Sequence, residues 1–305
     1  MYNKKNMKKN KIAIFYGGKL GDKVEEFVMA GEKLGVEVDA INYSEIYLDS
    51  EEKSDRKMLI KFKTDKKLED YGVVYFKFVK HYREEASLIM DCIDSDVKVI
   101  DSVLRRGRPS DFCKIHQMKA MIDAGLNVPR LVMGRLEYLR YKAVKKFEYP
   151  LILKGSQGDR RSQVFKFFND TSWDKGWEVF CERETNEGQR YMLQEYIVNT
   201  EDYRVMVLGD RVLGVMKRAT GENPLLKNVF TKTELPDYVL EKAVAAAKAC
   251  EIEVAGVDVV FKEGVKEPYF WEVNRAPNYD RFVEVTGINV AQEIVKYLAS
   301  LLPKN

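Results

Sequence analysis

Apolar residues in this chain come in short β-branched and aromatic runs, separated by amphipathic stretches or by turn residues. In the first third, Lys11–Tyr16, Val36–Tyr43, Val73–Phe78 and Val97–Asp101 read as strands. Helices over Asp22–Leu34 and near Arg83–Ile93 lie between them, and such alternation predicts a parallel α/β sheet. The stretch Asp49–Asp70 mixes charges and reads as a solvated helix and loop. A second unit opens near Ser110. Its helix, Asp111–Ala124, stops at Gly125 and would be capped by Ser110 or Asp111. Leu151–Leu153 reads as a buried strand and Val164–Phe168 as its return. Tyr191–Ile197, Asp202–Leu208, Arg211–Ala219, Val254–Phe261 and Tyr269–Asn274 follow as strands, with a helix over Asp237–Cys250. From Arg204 onward they predict one antiparallel-rich α+β block.

The last two strands carry polar residues that packing does not require. Glu272 and Asn274 are two apart and so share a face, and Asp258 on the partner strand can reach it. Two carboxylates and an amide oxygen form a hard-oxygen set suited to Mg²⁺, which keeps few protein ligands and adds phosphate oxygens. A merely wet hairpin face is the plainer alternative.

Other polar positions point the same way. Lys154 ends a buried strand as the chain enters Gly155-Ser-Gln-Gly158-Asp-Arg160-Arg161-Ser162. A lysine beside a glycine loop offers a point charge and backbone N–H groups to phosphate. A simple hairpin turn would also use those glycines. Lys114 sits in the first turn of its helix, where a cation opposes the helix dipole. Lys217 and Arg218 are adjacent on a strand and point to opposite faces, so at most one joins a given site. Gly17-Gly18-x-x-Gly21, between strand and helix, offers a turn that can hold a phosphate, but it lacks the dinucleotide fingerprint, and its glycines more simply make the turn or line a substrate cleft.

Composition narrows the classes. The 305 residues suffice for two or three domains, and 45% are hydrophobic against 32% charged, as in soluble globular proteins. The net charge of +3 gives little reason to invoke nucleic acid. No apolar run reaches membrane-span length, and Ile12–Tyr16 is too short for a signal-peptide core after the basic Met1–Lys11 stretch. Cys92, Cys113, Cys181 and Cys250 have no paired spacing and read as reduced cysteines of a cytoplasmic protein. With only His81 and His116, a histidine zinc site is disfavoured.

Taken in order, Met192-Leu-Gln-Glu-Tyr-Ile197, Asp202-Tyr-Arg204, Lys217-Arg218-Ala219, Val254-Ala-Gly-Val-Asp258, Trp271-Glu-Val-Asn274 and Thr286-Gly-Ile-Asn289 resemble the ATP-grasp superfamily. Within it the chain is most similar to the ribosomal-protein glutamate ligase (RimK-like) group, over roughly residues 98–300. The resemblance implies an α/β N-terminal domain over residues 1–109 and an α+β ATP-grasp fold. Its central subdomain would span 110–190, and its C-terminal subdomain 191–305.

It implies ATP and two Mg²⁺ ions as cofactors, with Mn²⁺ as a substitute. Lys114 and Lys154 would hold the α- and β-phosphates, and the Gly155–Ser162 loop, with Ser156 and Gly158, would close over the γ-phosphate. Gln194 opens the hinge. Backbone groups of Glu195 and Ile197 would face the adenine, and Asp202 the ribose. Arg204 and Arg218 would stabilise charge on the transferring phosphate, with Asn228 as a further catalytic residue and Lys217 beside the nucleotide. Asp258, Glu272 and Asn274 would hold the metal.

The implied reaction joins a carboxylate to an amine through an acyl phosphate. Its substrate would be an amino acid or peptide, with no nucleic acid or membrane partner and homo-oligomerisation left open. The chain departs from the group after Lys217-Arg218, where only Asn228 matches, and after Asn274, where Arg275-Ala276-Pro277-Asn278 stands. Arg160, Arg161 and Arg275 are therefore expected to contact an acidic substrate. They also keep a kinase on the same fold as the alternative.

Overall fold

The computed structural model describes residues 9–18, 22–50, 58–106, 114–155, 164–198, 201–219 and 229–303. The first sheet takes β1 (Lys11–Tyr16), β2 (Val38–Asn42), β5 (Tyr71–Phe76) and β6 (Lys98–Ile100) in the order β2-β1-β5-β6, all parallel. Crossovers run through α1 (Asp22–Leu34) and α2 (Arg83–Cys92). Strands of such a sheet are buried on both faces, hence their unbroken apolar runs. In β1, Ile12 and Ile14 enter one core while Ala13 and Phe15 enter another.

Between β2 and β5 the expected solvated helix and loop is replaced. An antiparallel hairpin of β3 (Ile46–Ser50) and β4 (Met58–Phe62) stands there instead. Ile46-Tyr-Leu and Met58-Leu-Ile carry strand-forming residues that the flanking charges obscured.

The second sheet has the order β7-β10-β8-β9, from β7 (Leu131–Gly134), β8 (Leu151–Gly155), β9 (Val164–Phe167) and β10 (Tyr191–Glu195). β10 pairs with both β7 and β8, so this sheet extends past residue 190. Its core is covered by the single turn α4 (Leu136–Tyr138) and by α5 (Trp177–Asn186), with Trp173 stacked on Phe167 at 4.3 Å between ring centroids.

The third sheet is antiparallel throughout. It runs β13-β12-β11-β14-β15, from β11 (Glu201–Leu208), β12 (Arg211–Ala219), β13 (Val229–Thr233), β14 (Val254–Phe261) and β15 (Pro268–Arg275). One face packs on α3 (Lys114–Asp123) and α6 (Asp237–Ala249). Val239, Ala243, Ala246 and Ala247 of α6 recur at helical spacing and are fully buried there. The opposite face sends Met206, Leu208 and Met216 into the core shared with α1, α7 (Asp280–Thr286) and α8 (Val290–Ser300). No described helix is long and apolar enough to cross a membrane.

Candidate active site

A cavity of about 450 Å³ lies between the second and third sheets, a volume typical of small-molecule sites. Strand periodicity selects its walls. In β8, Leu151, Leu153 and Gly155 are buried beneath the sheet, which turns Ile152 and Lys154 to the cavity. Val164, Gln194 and the segment Glu195-Tyr196-Ile197 extend that wall. Facing it are Arg204 of β11, Arg218 of β12, Asp258 of β14 and Trp271, Glu272 and Asn274 of β15. Lys114 and Pro129 complete the lining.

The register sets the polar face. Asp258 stands directly across from Glu272, and Gly256 across from Asn274. The Asn274 amide donates to Asp258 Oδ2 at 3.2 Å and to the Gly256 carbonyl at 3.3 Å. Gly256 lets the chain pack closely here. A Cβ would sit 3.1 Å from Pro277 and 3.4 Å from the Arg204 stem.

Each carboxylate faces a cation. Arg204 donates from Nε and Nη2 to the two oxygens of Asp258, at 2.7 and 2.9 Å. Lys114 Nζ lies 2.9 Å from Glu272 Oε1. Arg218 Nε donates to Asp202 Oδ2 at 2.9 Å. Burial opposes the Arg204 charge, but Asp258, Glu272 and Asp202 outweigh it and raise its pKa. Burial raises the Asp202 pKa, against the pull of Arg218. Lys154 is lowered to about 8, first by burial and then by repulsion from Lys114, with Glu272 and Asp258 opposing.

The donor set suits Mg²⁺. Among the described residues, no three His, Cys, Asp or Glu side chains cluster into an all-protein cage. Two carboxylates and an amide beside a roomy cavity match an ion that takes its remaining oxygens from phosphates and water. Lysines and arginines on both walls suit polyphosphate. Gln194 adds a buried Nε2 with no hydrogen-bond partner among the described residues.

Residues 110–298 match the model of the RimK-like ATP-grasp domain. The chain belongs to that family. A probable alpha-L-glutamate ligase 1 of Shewanella oneidensis is 32% identical over 160 residues, 50% of this chain and 51% of the relative. The chain thus spans about half the length of the curated relatives it matches. Two solved structures share the fold. The ATP-grasp ligase PsnB, complexed with a phosphomimetic variant of its minimal precursor, Mg and ADP, superposes with a TM-score of 0.74 at 16% identity, covering 96% of this chain and 99% of PsnB. The macrocyclase MdnC of Microcystis aeruginosa, bound with precursor peptide MdnA, gives 0.71 at 14% identity, covering 95% and 99%. The expected ATP-grasp architecture is therefore the one observed.

Within this RimK-like domain the expected site residues divide. Lys114, Lys154, Gln194, Glu195, Ile197, Arg204, Arg218, Asp258, Glu272 and Asn274 line one cavity. Gly155 ends β8 beside Lys154. Asp202 stands behind Arg218, to which its carboxylate is bonded. The Glu195 N–H donates to the Arg130 carbonyl at 2.9 Å, so it is not free for an adenine edge.

Two expectations are corrected. Lys217 does not face the cavity. Strand alternation turns it to the other face of β12, where Nζ lies 3.0 Å from Glu201 Oε2. Arg275 does not line this cavity either. Its side chain is only 10% exposed and donates to the Phe76 carbonyl at 2.6 Å and to Asp101 Oδ2 at 3.4 Å, joining β15 to the first sheet. Ser156, Gly158, Arg160, Arg161 and Asn228 lie outside the described residues, as do Ser110 and Asp111.

Trp271, Ile152, Val164 and Pro129 line the cavity without having been expected from the sequence. Ile152 was legible as the i−2 neighbour of Lys154. Trp271 was not. Asp258 pairs with Glu272 and Val259 with Phe270, so Trp271 is an extra residue in a β-bulge. The bulge breaks alternation and lets Trp271 and Glu272 line the same cavity, with Lys154 Nζ 5.7 Å from the indole centroid.

Proposed function

We propose that this protein is an ATP- and Mg²⁺-dependent carboxylate–amine ligase acting on an amino acid or peptide. One observation carries the reading. Asp258, Glu272 and Asn274 share a face, and Lys114, Lys154, Arg204 and Arg218 surround it in one cavity of nucleotide size. Bound ATP with Mg²⁺ would supply the phosphoryl group that activates a carboxylate as an acyl phosphate, which an amine displaces to leave an amide, ADP and phosphate.

The chain's own residues hold and polarise. Lys114 and Lys154 would trade their present contacts for phosphate oxygens. Asp258, Glu272 and Asn274 would hold two metal ions. Arg204 and Arg218, fixed by Asp258 and Asp202, would face the oxygens on which negative charge develops. No side chain need act as a nucleophile. Trp271 and Ile152, on opposite walls, would enclose the base, and the Glu195–Ile197 segment would offer its remaining backbone groups to the base edge.

The glutamate ligase name of the relatives and the peptides bound by PsnB and MdnC support an amino-acid or peptide substrate. The test is ADP release over a panel of acid–amine pairs, followed by the product mass. An amide condensation supports the ligase. A phosphoryl gain without condensation would instead establish a kinase.

A further inference from the structure

Lys77 has no part in the cavity described above, yet among the described residues no other lysine or arginine is so deeply buried, at 5% exposure. It follows β5, and its N–H donates to the Phe15 carbonyl at the end of β1, 2.8 Å away. β1 connects to β2 on one side, while β5 lies on its other side. Lys77 therefore stands at the point where the strand order reverses, outside the carboxyl ends of the strands. Open α/β sheets bind ligands in that crevice.

The ammonium is enclosed by rings. Nζ lies 4.8 Å from the Tyr279 centroid, 4.9 Å from Phe27, 5.7 Å from Phe78 and 5.9 Å from Tyr75. Aromatic faces attract a cation but accept none of its three N–H bonds in the way an anion does. Among the described residues the ammonium has no hydrogen bond or ion pair. Burial lowers its pKa to about 8, with Asp280 and Glu26 opposing and Arg275 and Lys23 assisting.

Beside it is a small, half-open cavity of about 40 Å³, roomy enough for a small polar group. Lys23 and Val24, in the first turn of the 13-residue α1, line it. Backbone N–H groups there have no intrahelical acceptor and favour an anion. Asp280 lines it too and is paired with Lys23, so two lysines stand against one carboxylate. Gly17 and Gly18 do not line this cavity, and Gly18 offers it no donor. Gly17 leaves room for the Tyr82 ring, and the Gly18 N–H donates to Tyr82 Oη at 3.0 Å.

The cavity adjoins the nucleotide cleft. Pro277 lines the Lys77 cavity and Arg204 lines the cleft, and both lie against Gly256, 3.1 and 3.4 Å from where its Cβ would stand.

We propose that the Lys77 cavity is a carboxylate-binding subsite for the small-molecule substrate, with Lys77 and the first turn of α1 as its anion receptor. The inference rests on the ligase reading for the identity of the other end. A substrate reaching from Lys77 toward Arg204 carries one carboxylate as a handle in addition to its reacting group.

Isothermal titration tests it. Wild-type protein, with ADP and Mg²⁺ present, is titrated with L-glutamate, L-aspartate and glutarate, with the amide counterpart of each, and with inorganic phosphate. At least one carboxylate should bind at least about tenfold more tightly than its amide. Lys77→Met should abolish that preference while leaving ADP affinity unchanged and raising the melting temperature, because it removes a buried charge. Lys77→Gln serves as the second variant, and the wild-type amide comparison requires no variant.

The proposal is overturned if carboxylates bind no better than amides, if both Lys77 variants keep the preference, or if only phosphate binds. The ligase reading fails separately. In that case no acid–amine pair releases ADP, whether or not the Lys77-dependent carboxylate preference is present.

Discussion

Arg204 holds Asp258 by two parallel hydrogen bonds, from Nε to Oδ1 and from Nη2 to Oδ2. The pair exists because the two residues are direct neighbours across β11 and β14. Asp258 is thus neutralised by a cation beside the place where a metal would be held. Arg204→Met leaves that carboxylate without its bidentate partner. A loss of about 1.5–3 kcal/mol in unfolding free energy is expected from chemical denaturation. Mg²⁺ with ADP should recover more stability in the variant than in wild type. Equal recovery in the two proteins would show that Asp258 and the metal do not meet.

Glu272→Gln tests the metal site directly. The change keeps shape and removes one negative charge from the face shared with Asp258 and Asn274. ADP release should fall by roughly a hundredfold or more, with the fold intact by circular dichroism. Near-normal turnover at ordinary Mg²⁺ would count decisively against the site.

Lys154 carries a pH signature. Its pKa is depressed to about 8, so the free protein loses this charge as pH rises through 8. Phosphate nearby would raise the pKa, so nucleotide binding takes up a proton above that point. ATP affinity should therefore be flat below pH 8 and decline above it. Lys154→Met should bind more weakly throughout and lose the decline. A variant with the wild-type pH profile would assign the titration to another group.

Asp101 is fully buried, accepts the Val254 N–H at 2.8 Å and lies by Arg275. Burial raises its pKa from 3.8 to about 7, against Arg275 and the Val254 N–H. A carboxyl raised on folding contributes stability that is complete below its unfolded pKa and lost as pH rises through the folded one. The window here runs from 3.8 to about 7. Asp101→Asn keeps an acceptor for Val254 and removes the titration. Melting temperatures of the two proteins should converge near the acid end of that window and diverge toward neutrality, with the variant higher. Parallel curves would show that Asp101 does not titrate there.

Much of the site was legible before any tertiary structure. Glu272 and Asn274 share a face because strand side chains alternate, and Ile152 with Lys154 follows the same rule. Lys217 and Arg218 had to part company on those grounds, but only the tertiary structure shows that Arg218, across from Asp202 on β11, is the one turned to the cavity. Arg275 illustrates the limit. It follows Asn274 and reads as part of the same site, yet the end of β5 lies close enough to draw its guanidinium to Phe76 and Asp101, 199 and 174 residues away in sequence.

The sequence alone determined the local elements. Asp22–Leu34, Arg211–Ala219 and Val254–Phe261 stand with the limits their apolar patterns predict, because helix and strand periods are properties of neighbouring residues. Tertiary structure decided what depends on distant partners. The β3–β4 hairpin forms because two short runs pair across an intervening charged stretch. The Trp271 bulge arises from the register of β14 against β15, and a shift of one residue moves side chains to the other face of a sheet. The Lys77 cavity exists only because α1, the end of β5 and the segment after β15 meet at one corner.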